Sequence, residues 1–365
     1  MHIAGGEHIL DTTFSLEKNI VSDTLQFGFR IDSTKLPSDL LRAYFAQEVA
    51  ALAAKNPSGK AGARQKREAR ETARQRIEAE AHDGRFLKRK AYNVLWDALS
   101  NELLVASTSA SVIDRLHTLF EKTFGFGFEP LGAGTLAHRL ATTRGQARGI
   151  DDAEPSAFVP GVSPSSIHWI MEESSKDWLG NEFLLWLWHT LESSDSIPLL
   201  DKSEATLMVA NSLSLECPRG QTGKESISHE GPTRLPEARR AIQSGKMPRK
   251  AGLIVVRHGS QYEFSLGAET MAVSGAKFPA PEETEERARL DERVAQLRHF
   301  LETVDLLYDA FGSRRASDAW PKELGTMQKW LQREERRAAT GSVCQFSRRR
   351  SRRARSRPAG RSRGR

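Results

Sequence analysis

The sequence predicts an α+β fold with mixed or antiparallel sheets, packed helices, a protruding basic helical arm and a long C-terminal helix. Three observations lead to this prediction. Short runs of alternating apolar and polar residues indicate strands, and amphipathic segments between them indicate helices. Residues 50–85 have a helical composition but few large apolar side chains, and residues 283–312 carry apolar residues at heptad spacing.

The first elements are a strand and an amphipathic helix. Side chains from Leu25 to Ile31 alternate between apolar and polar, which predicts a half-buried strand over residues 23–31. An N-cap signal at Pro37-Ser38-Asp39 then opens a helix, and Asn56-Pro57-Ser58-Gly59 breaks it. Because the apolar residues of this helix share one face, we expect it to pack on another element.

The next segment, residues 61–81, is strongly helical in composition, and Ile77 is its one large apolar residue. A helix that is polar all round has no face to bury, so it projects into solvent or contacts a partner. Arg67, Arg70 and Arg74 share one face at i, i+3 and i+7 spacing. We therefore expect residues 50–85 to form a helical arm that stands off the body.

A hairpin, a helix and a further strand are predicted after the arm. Residues 90–97 and 102–108 have the pattern of two strands joined by a tight turn. Residues 109–124 form an amphipathic helix, which Gly125 ends as a C-cap. The alternation at residues 126–131 predicts one more strand.

The C-terminal half combines a buried helix, strands and the heptad helix. Residues 181–192 are apolar on every side and too short to span a bilayer, so we interpret them as a buried core helix, with a subunit interface as the alternative. The heptad spacing over residues 283–312 makes a seam for another helix, within the chain or in a dimer. The other predicted elements are strands at residues 205–216, 252–257 and 261–266 and a short helix at 235–244.

A loop rich in Gly, Ser, Pro and Asp at residues 141–165 predicts a domain boundary. The long Arg-rich run at the C-terminus has no apolar residues that could support a core. The expected organisation is an N-terminal α+β domain at 1–140 with the arm, a linker at 141–165, a second α+β domain at 166–320, a short helical extension at 321–346 and a disordered tail at 347–365.

Composition argues against several classes of protein. No apolar run is long enough for a membrane span, and the N-terminus lacks the basic and apolar regions of a signal peptide. Cys217 and Cys344, the two cysteines, are too few for a disulfide framework or a Cys-based zinc site. We therefore expect a cytoplasmic protein of bacterial type, with no structural metal and no cofactor.

Charge is segregated along the chain. Residues 55–90 carry twelve Lys and Arg against five Asp and Glu, and residues 215–250 carry eight against four. Residues 347–365 carry ten Arg and no acidic residue, whereas the rest of the chain has 24 basic and 38 acidic residues. Such segregation attracts a polyanion to the basic segments while the acidic remainder repels it, which predicts oriented binding of nucleic acid.

Lys and Arg side chains release counterions from nucleic acid when they neutralise phosphates, so charge density matters more than spacing. Aromatic residues are sparse in both internal segments, and no helix-turn-helix, zinc-finger or RRM signature is present. This pattern favours contacts with the duplex backbone, and a solvated basic face without a partner is the alternative. The predicted phosphate ligands are Arg64, Lys66, Arg67, Arg70, Arg74, Lys88, Arg89, Lys90, Arg219, Lys224, Arg234, Arg239, Arg240, Lys246, Arg249 and Lys250.

Nothing in the sequence argues for catalysis, and we expect the protein not to be an enzyme. Gly223-Lys224 follows a predicted strand, but Pro218 and Glu225 occupy positions where a phosphate-binding loop needs Gly and Ser or Thr. Ten His residues include no HExxH motif. Two alternative hypotheses remain: a metal-dependent enzyme acting on nucleic acid, such as a nuclease, and a helical protein-interaction module that does not bind DNA.

The succession of elements resembles the RdgC family of recombination-associated DNA-binding proteins. The resemblance lies in residues 25–32, in Lys35-Leu36-Pro37, in the helix and basic arm that follow, and in the hairpin at 90–108. It continues through the helix at 110–124, the stretch 232–253 with Ala241-Ile242-Gln243-Ser244-Gly245-Lys246, and the final long helix. Taken in order, the resemblance covers residues 8–312.

This resemblance implies a protein that binds double-stranded DNA without sequence preference, as a ring-shaped homodimer that restrains loading of the RecA recombinase. A nucleoid-associated location and a role in recombination or replication restart follow from it. Lys246, Arg249 and Lys250 match basic positions after the family's helix-Gly turn, and residues 64–70 match its basic arm in character. The chain lacks the strand and helix with which family members usually begin, and its Arg-rich tail is atypical.

Overall fold

Two antiparallel sheets with helices packed on them make up the fold, which confirms the predicted α+β class and the long C-terminal helix. Met1–Leu331 form one unit, in which each sheet has its own hydrophobic cluster. Among the described helices, none combines the length and the apolar content needed to span a bilayer. The computed structural model describes residues 1–159, 167, 169–170, 172–218 and 223–332.

The first sheet and its helices occupy the N-terminal third of the chain. Its strands are β1 (His2–Ala4), β2 (Ile20–Val21), β3 (Thr24–Thr34), β4 (Leu87–Asp97) and β5 (Glu102–Val105). The helices of this part are α1 (Leu16–Asn19), α2 (Ser38–Ala54), α3 (Ala63–Ala81) and α4 (Ala110–Phe124). The spatial order is β1-β3-β4-β5, and β2 also pairs with β3.

One face of this sheet packs on α4. Phe27 and Phe29 of β3 and Val94 of β4 are buried against Phe120 of α4, as the alternation of the strand and the amphipathic pattern of the helix predict. Gly125 ends α4 with a φ of 77°, a left-handed conformation that glycine adopts without strain. The predicted strand, hairpin and helix are therefore confirmed, with bounds shifted by a few residues.

Residues 126–131 form no strand, so that prediction was wrong. Their aromatic side chains pack on the first core instead of forming a sheet surface. The ring of Phe126 lies 5.9 Å from that of Trp96, and the ring of Phe128 lies 5.4 Å from that of Phe120. The alternation of Phe and Gly reflects this edge-to-face packing, which needs no paired strand.

The second sheet follows from residue 196 onward. Its strands are β6 (Ser196–Pro198), β7 (Glu204–Glu216), β8 (Lys224–Ser228), β9 (Met247–Arg257), β10 (Ser260–Gly267) and β11 (Val273–Lys277). The helices around it are α5 (Ala133–Thr143), α6 (Ala147–Asp151), α7 (Trp178–Leu191), α8 (Pro236–Gln243), α9 (Glu286–Arg315) and α10 (Trp320–Gln332). The order is β11-β10-β9-β7-β6, and β8 also pairs with β7.

Helix α7 is the centre of the second core. Every residue from Trp178 to Trp188 is buried, which confirms the interpretation of this apolar run as a core helix. Gly180 allows the helix to approach the sheet closely, because a Cβ atom there would lie 1.8 Å from the carbonyl oxygen of Ala268. The aromatic rings of Phe183 and Tyr308 meet edge to face, with centroids 5.0 Å apart.

The heptad seam of α9 is used within the chain. Val304, Tyr308 and Phe311, in its C-terminal half, are buried in the second core. Leu290 and Leu297, in its N-terminal half, line a cleft beside the first sheet. Helix α9 therefore packs in the second core with its C-terminal half and borders the first sheet with its N-terminal half.

The chain passes from the first hydrophobic cluster to the second between Phe128 and Ala133, ahead of the boundary predicted at residues 141–165. Part of that predicted linker is helical, because α5 continues to Thr143 and α6 follows, with Ile150 buried in the second core. Residues 160–165, residues 333–346 of the predicted extension and the whole predicted tail lie outside the described residues.

Candidate nucleic-acid interface

The predicted arm is a helical hairpin inserted between β3 and β4. Thr34, the last residue of β3, pairs directly with Leu87, the first residue of β4, so the chain leaves and re-enters the sheet at one point. Helices α2 and α3 therefore run in opposite directions, with the turn at residues 55–62 far from the sheet. The nineteen residues of α3 correspond to a length of about 28 Å.

Small side chains join the two helices of the arm. Ala69, Ala73 and Ile77 of α3 are buried at i, i+4 and i+8 positions, whereas no residue of α2 is fully buried. The arm therefore begins at Ser38 rather than near residue 50. Helix α3 is not polar all round as the sequence suggested, because alanines form most of its buried stripe and alanines give a weak hydrophobic signal.

Ion pairs balance the charges at the base of the arm. The guanidinium of Arg76 lies 4.0 Å from the ring centroid of Tyr44, and its Nε is 3.9 Å from the carboxylate of Glu80. The Tyr44 hydroxyl donates a hydrogen bond to Glu80 at 2.5 Å, which raises the pKa of the phenol. Arg85 donates to Asp83 and lowers the pKa of that carboxyl.

The opposite end of the arm carries positive charge alone. Between residues 49 and 67 the sequence has five Lys and Arg and no Asp or Glu. All five are exposed, and the ion pairs of the arm's described residues involve other side chains. We call this end the arm tip, defined by Lys55, Lys60, Arg64, Lys66 and Arg67.

Two members of the arm tip, Lys55 and Lys60, are not among the predicted phosphate ligands. They lie in the turn at residues 55–62, outside α3, so charge clustering on α3 alone did not reveal them. The missing acidic residues over 49–67 were the signal that could have found them. The helical hairpin brings both ends of this acid-free run to the same place.

Arg70 and Arg74 continue the basic face of α3 toward the base. The guanidinium of Arg70 lies 5.6 Å from the ring centroid of Phe45, and the Nε of Arg74 lies 3.8 Å from the carboxylate of Glu78. Both side chains are exposed. Positive charge is thus unopposed at the arm tip, whereas the Arg side chains of α3 nearer the sheet contact aromatic rings or carboxylates.

Lys88, Arg89 and Lys90 lie on β4 at the foot of the arm, and all three are exposed. The Nε of Arg89 is 3.8 Å from the carboxylate of Asp32, which also pairs with Arg30 at 3.1 Å. Side chains alternate along a strand, so Lys88 and Lys90 point away from the face that carries Arg89.

Four predicted ligands of the second basic segment are exposed on separate elements. Lys224 lies on β8, Arg240 on α8 and Lys250 on β9, and Arg234 ends the short 3-10 helix before α8. Lys250 donates to the Ser274 hydroxyl at 2.8 Å. None of the four forms an ion pair with a carboxylate in the described part of the chain.

Lys246 and Arg249, in contrast, are held in ion pairs within the chain. Lys246 is only 5% exposed and pairs with Glu225. Arg249 donates to Glu216 at 2.8 Å and to Glu269 at 2.6 Å. Their charges are already neutralised, and removing one partner of a partly buried pair of this kind costs about 2–4 kcal/mol. The structure therefore separates both residues from the exposed basic surface on which they were predicted.

Arg239 is also engaged within the chain, where it donates to Glu192 at 2.9 Å and lies 5.3 Å from the ring centroid of Trp330. Arg219, the remaining predicted ligand, lies outside the described residues. The structure thus brings the predicted ligands of the arm together but divides those of the second segment between exposed and paired positions.

Comparisons with models of known protein families and with curated proteins find no match. Within the residues that the structure describes, no three His, Cys, Asp or Glu side chains come together in a group that could hold a metal ion. The observations that bear on function are therefore the geometry and the charge of the arm.

Proposed function

We propose that this protein binds double-stranded DNA without sequence preference, through phosphate contacts made by the arm tip. The observation that supports the proposal is the concentration of five exposed Lys and Arg side chains at the end of a helical hairpin, none of which forms an ion pair with another described residue. The chain outside its basic segments is acidic and the arm tip is basic. A polyanion is therefore attracted to the arm tip and repelled by the rest of the molecule, which favours one orientation of binding.

The chemistry of the arm tip favours the duplex backbone over bases. Residues 49–67 contain no Phe, Tyr or Trp, so the tip offers no ring on which an unpaired base could stack. The turn between α2 and α3 is too short to read base edges with a helix of its own. Long, flexible Lys and Arg side chains suit phosphate contacts, which position a protein without conveying sequence.

The wider role that we propose follows from the resemblance to the RdgC family. Under this hypothesis the chain acts as a homodimer on the bacterial nucleoid. It modulates either homologous recombination, by restraint of RecA, or replication restart. Support comes from the order of strand, basic arm, β-hairpin strands, helix and long final helix, on which the resemblance depends. We propose no enzymatic step.

The test compares the full chain with an arm-tip variant, Arg64→Ala/Lys66→Ala/Arg67→Ala, in duplex DNA binding across a salt series. Each phosphate contact contributes about 0.9 to the slope of log affinity against log salt, so we expect the slope to fall by about 2–3. Duplexes of equal length but different sequence should give equal affinities. The same series in a chain that ends at Phe346 separates the contribution of the ten Arg in the tail.

A matched control, Lys122→Ala/Arg148→Ala/Lys322→Ala, removes the same charge from exposed positions on other helices. We expect this control to keep a slope close to that of the unmodified chain. Equal slopes for the unmodified chain and the arm-tip variant would reject the proposed interface. Degradation of the duplex that requires magnesium would instead favour the nuclease reading.

A further inference from the structure

A second surface of the molecule has the features of a binding site, independently of the arm. Strand β5 has the sequence Glu-Leu-Leu-Val and lies at the end of the first sheet, where β4 is its one partner among the described strands. The amide of Ala106 donates to the Asn93 carbonyl, so these two residues form a hydrogen-bonded pair of the antiparallel ladder. Hydrogen-bonded pairs alternate with non-hydrogen-bonded pairs along such a ladder. The backbone groups of Leu103 and Val105 therefore point away from β4.

Three of these outward groups have no partner among the described residues. The Val105 carbonyl accepts from the Ser107 amide at 2.7 Å, so it is satisfied. The N–H and C=O of Leu103 and the N–H of Val105 form no further backbone bond in the described part of the chain. An edge strand with free backbone groups is a template for another strand.

Strands β6 and β11, at the two ends of the second sheet, carry features that discourage such pairing. Strand β6 is three residues long and ends in Pro198, which has no N–H to offer. Strand β11 has an irregular register against β10 and ends in Lys277. Strand β5 has neither Pro, nor Lys, nor a register shift, and three of its four residues are apolar.

The free edge of β5 opens into a cleft of about 1920 Å³ within the Met1–Leu331 unit. Apolar side chains from two sides line it: Phe126 and Phe128 from the loop after α4, and Leu290, Leu297 and Leu301 from α9. Phe126 and Leu290 are among the exposed large hydrophobic residues of the chain. An apolar wall beside a free strand edge is the arrangement that binds extended peptides in several kinds of domain.

The charge of the cleft indicates the chemistry of its occupant. Its described lining residues include nine Asp and Glu but four Lys and Arg. Asp114 and Glu129 are exposed and have no ion pair with a described residue. A segment with Lys or Arg next to its apolar residues would therefore be favoured over a neutral or acidic one.

We propose that this cleft binds an extended peptide segment of a partner protein, which pairs with β5 as an added strand. Its alternate side chains are apolar and contact the cleft wall, and Lys or Arg residues flank them and face the carboxylates. The edge of β5 shares the cleft with α9 and the loop after α4, so a single extended segment reaches it more readily than the sheet edge of a second folded copy does. The site does not depend on DNA binding by the arm.

The test begins with the full chain immobilised and exposed to a displayed library of random heptapeptides. We expect enrichment of sequences with alternating apolar residues flanked by Lys or Arg. The enriched peptides are then synthesised with a fluorescent label, and their affinity is measured by anisotropy. Failure to enrich any sequence above the unselected library, or enrichment of sequences without this pattern, would overturn the proposal.

Two kinds of variant connect the bound peptide to β5. Leu103→Pro removes one outward N–H, at an edge position where proline is tolerated, and Leu103→Ala is its control because it keeps that N–H. We expect a loss of affinity of about 5- to 10-fold for the proline variant beyond that of the alanine variant. Equal affinities for the two variants would contradict strand addition at β5.

The charge variant Asp114→Lys/Glu129→Lys leaves the backbone of β5 intact, so it tests the site even if Leu103→Pro fails to fold. We expect at least about a 10-fold loss of peptide affinity that diminishes with added salt. The control Glu121→Lys, on the same helix as Asp114 but outside the cleft, should have little effect. Sedimentation provides a third outcome. A dimer of the unmodified chain that Leu103→Pro dissociates, without peptide binding, would show that a second copy covers β5.

Discussion

Arg298 of α9 and Asp97 at the end of β4 form a bidentate ion pair, with 2.6 Å between Nε and Oδ2 and 2.9 Å between Nη2 and Oδ1. The Asp97 side chain is 8% exposed, and the hydrogen bond from Arg298 lowers the pKa of its carboxyl. Arg298 also donates to the carbonyl of Ser22 at 2.7 Å. The long helix of the second core is thereby joined to the first sheet by polar contacts.

Replacing Arg298 by Ala is expected to lower the free energy of unfolding by about 2–4 kcal/mol, because the Asp97 carboxylate would stay buried without its partner. The lowered pKa of Asp97 means that the pair stabilises the fold at pH values above the ordinary pKa of about 3.9. That stabilisation is lost as the pH falls through the folded-state pKa. Urea unfolding of both proteins between pH 3 and pH 7 measures the difference.

The control for this prediction is Arg148→Ala. Arg148 pairs with Asp152 on the surface of α6, where both side chains are largely exposed, so its loss is expected to change stability by less than about 0.5 kcal/mol. Equal losses in the two variants would show that the Arg298 pair contributes no more than a surface pair does.

Arg249→Ala is expected to affect stability rather than DNA binding. The change would leave Glu216 and Glu269 without the guanidinium that they share, at a cost of about 2–4 kcal/mol. Lys250→Ala, at the adjacent exposed position, is the matched control and should change stability by less than about 0.5 kcal/mol. Unfolding in urea and the salt slope of duplex binding are measured for both.

If Arg249→Ala kept the stability of the unmodified chain but reduced the salt slope by about 1, Arg249 would be a phosphate ligand. The ion pairs seen in the free protein would then be exchanged for phosphate contacts on binding.

Much of the fold could be predicted from local patterns. Alternation predicted β3, the continuous apolar run predicted α7, and the heptad spacing predicted α9. Each pattern is local, because the spacing of the buried residues follows the period of the element that contains them. The packing of α2 on α3 could not be predicted in this way. Its contact stripe on α3 consists of Ala69, Ala73 and Ile77, and alanines contribute little to a hydrophobic pattern.

The candidate interface was only partly visible in the sequence for a different reason. Clustering of charge predicted the arm, because the ion pairs within it join residues at most five positions apart in sequence. Lys246 and Arg249 meet carboxylates on β7, on β8 and after β10, which strand pairing brings close. Such neutralisation depends on sheet register, which a count of charges along the chain does not contain.

Asp305 is expected to make the stability of the fold depend on pH between about 4 and 6. Burial raises the pKa of its carboxyl to about 6, although the Nη2 of Arg139 lies 2.9 Å from its Oδ2. Since the folded-state pKa exceeds the ordinary value of about 3.9, the protonated form stabilises the fold. That contribution is fully present below pH of about 4 and is lost as the pH rises through about 6.

Asp305→Asn should therefore remove this dependence and stabilise the protein at pH 7 by about 1–2 kcal/mol, a discounted value because the side chain is 32% exposed. Asn retains an oxygen that can accept from Arg139. Urea unfolding at several pH values tests the prediction, with Asp152→Asn as the exposed control. A variant that is less stable than the unmodified chain at pH 7 would show that the ion pair with Arg139 outweighs the effect of burial.

Ile77→Ala is expected to loosen the arm without unfolding the sheets. Ile77 of α3 is fully buried, and α2 and α3 pack mainly on each other. Truncation of a buried Ile costs about 2–4 kcal/mol, so protection of the α2 and α3 amides from hydrogen exchange should fall by roughly 30- to 1000-fold. Amides of β7 and β9 should keep their protection, as should the whole chain in the exposed control Glu71→Ala.

The same variant separates the shape of the arm from its charge. Ile77→Ala leaves every Lys and Arg of the arm tip in place, so the salt slope of duplex binding should stay the same. Affinity should nevertheless fall, because a loosened hairpin must be ordered when it binds, and that ordering opposes binding. A reduced slope with unchanged affinity would mean that the tip does not contact phosphates as a preformed unit. Lost protection in β7 and β9 would mean that the arm and the sheets open together.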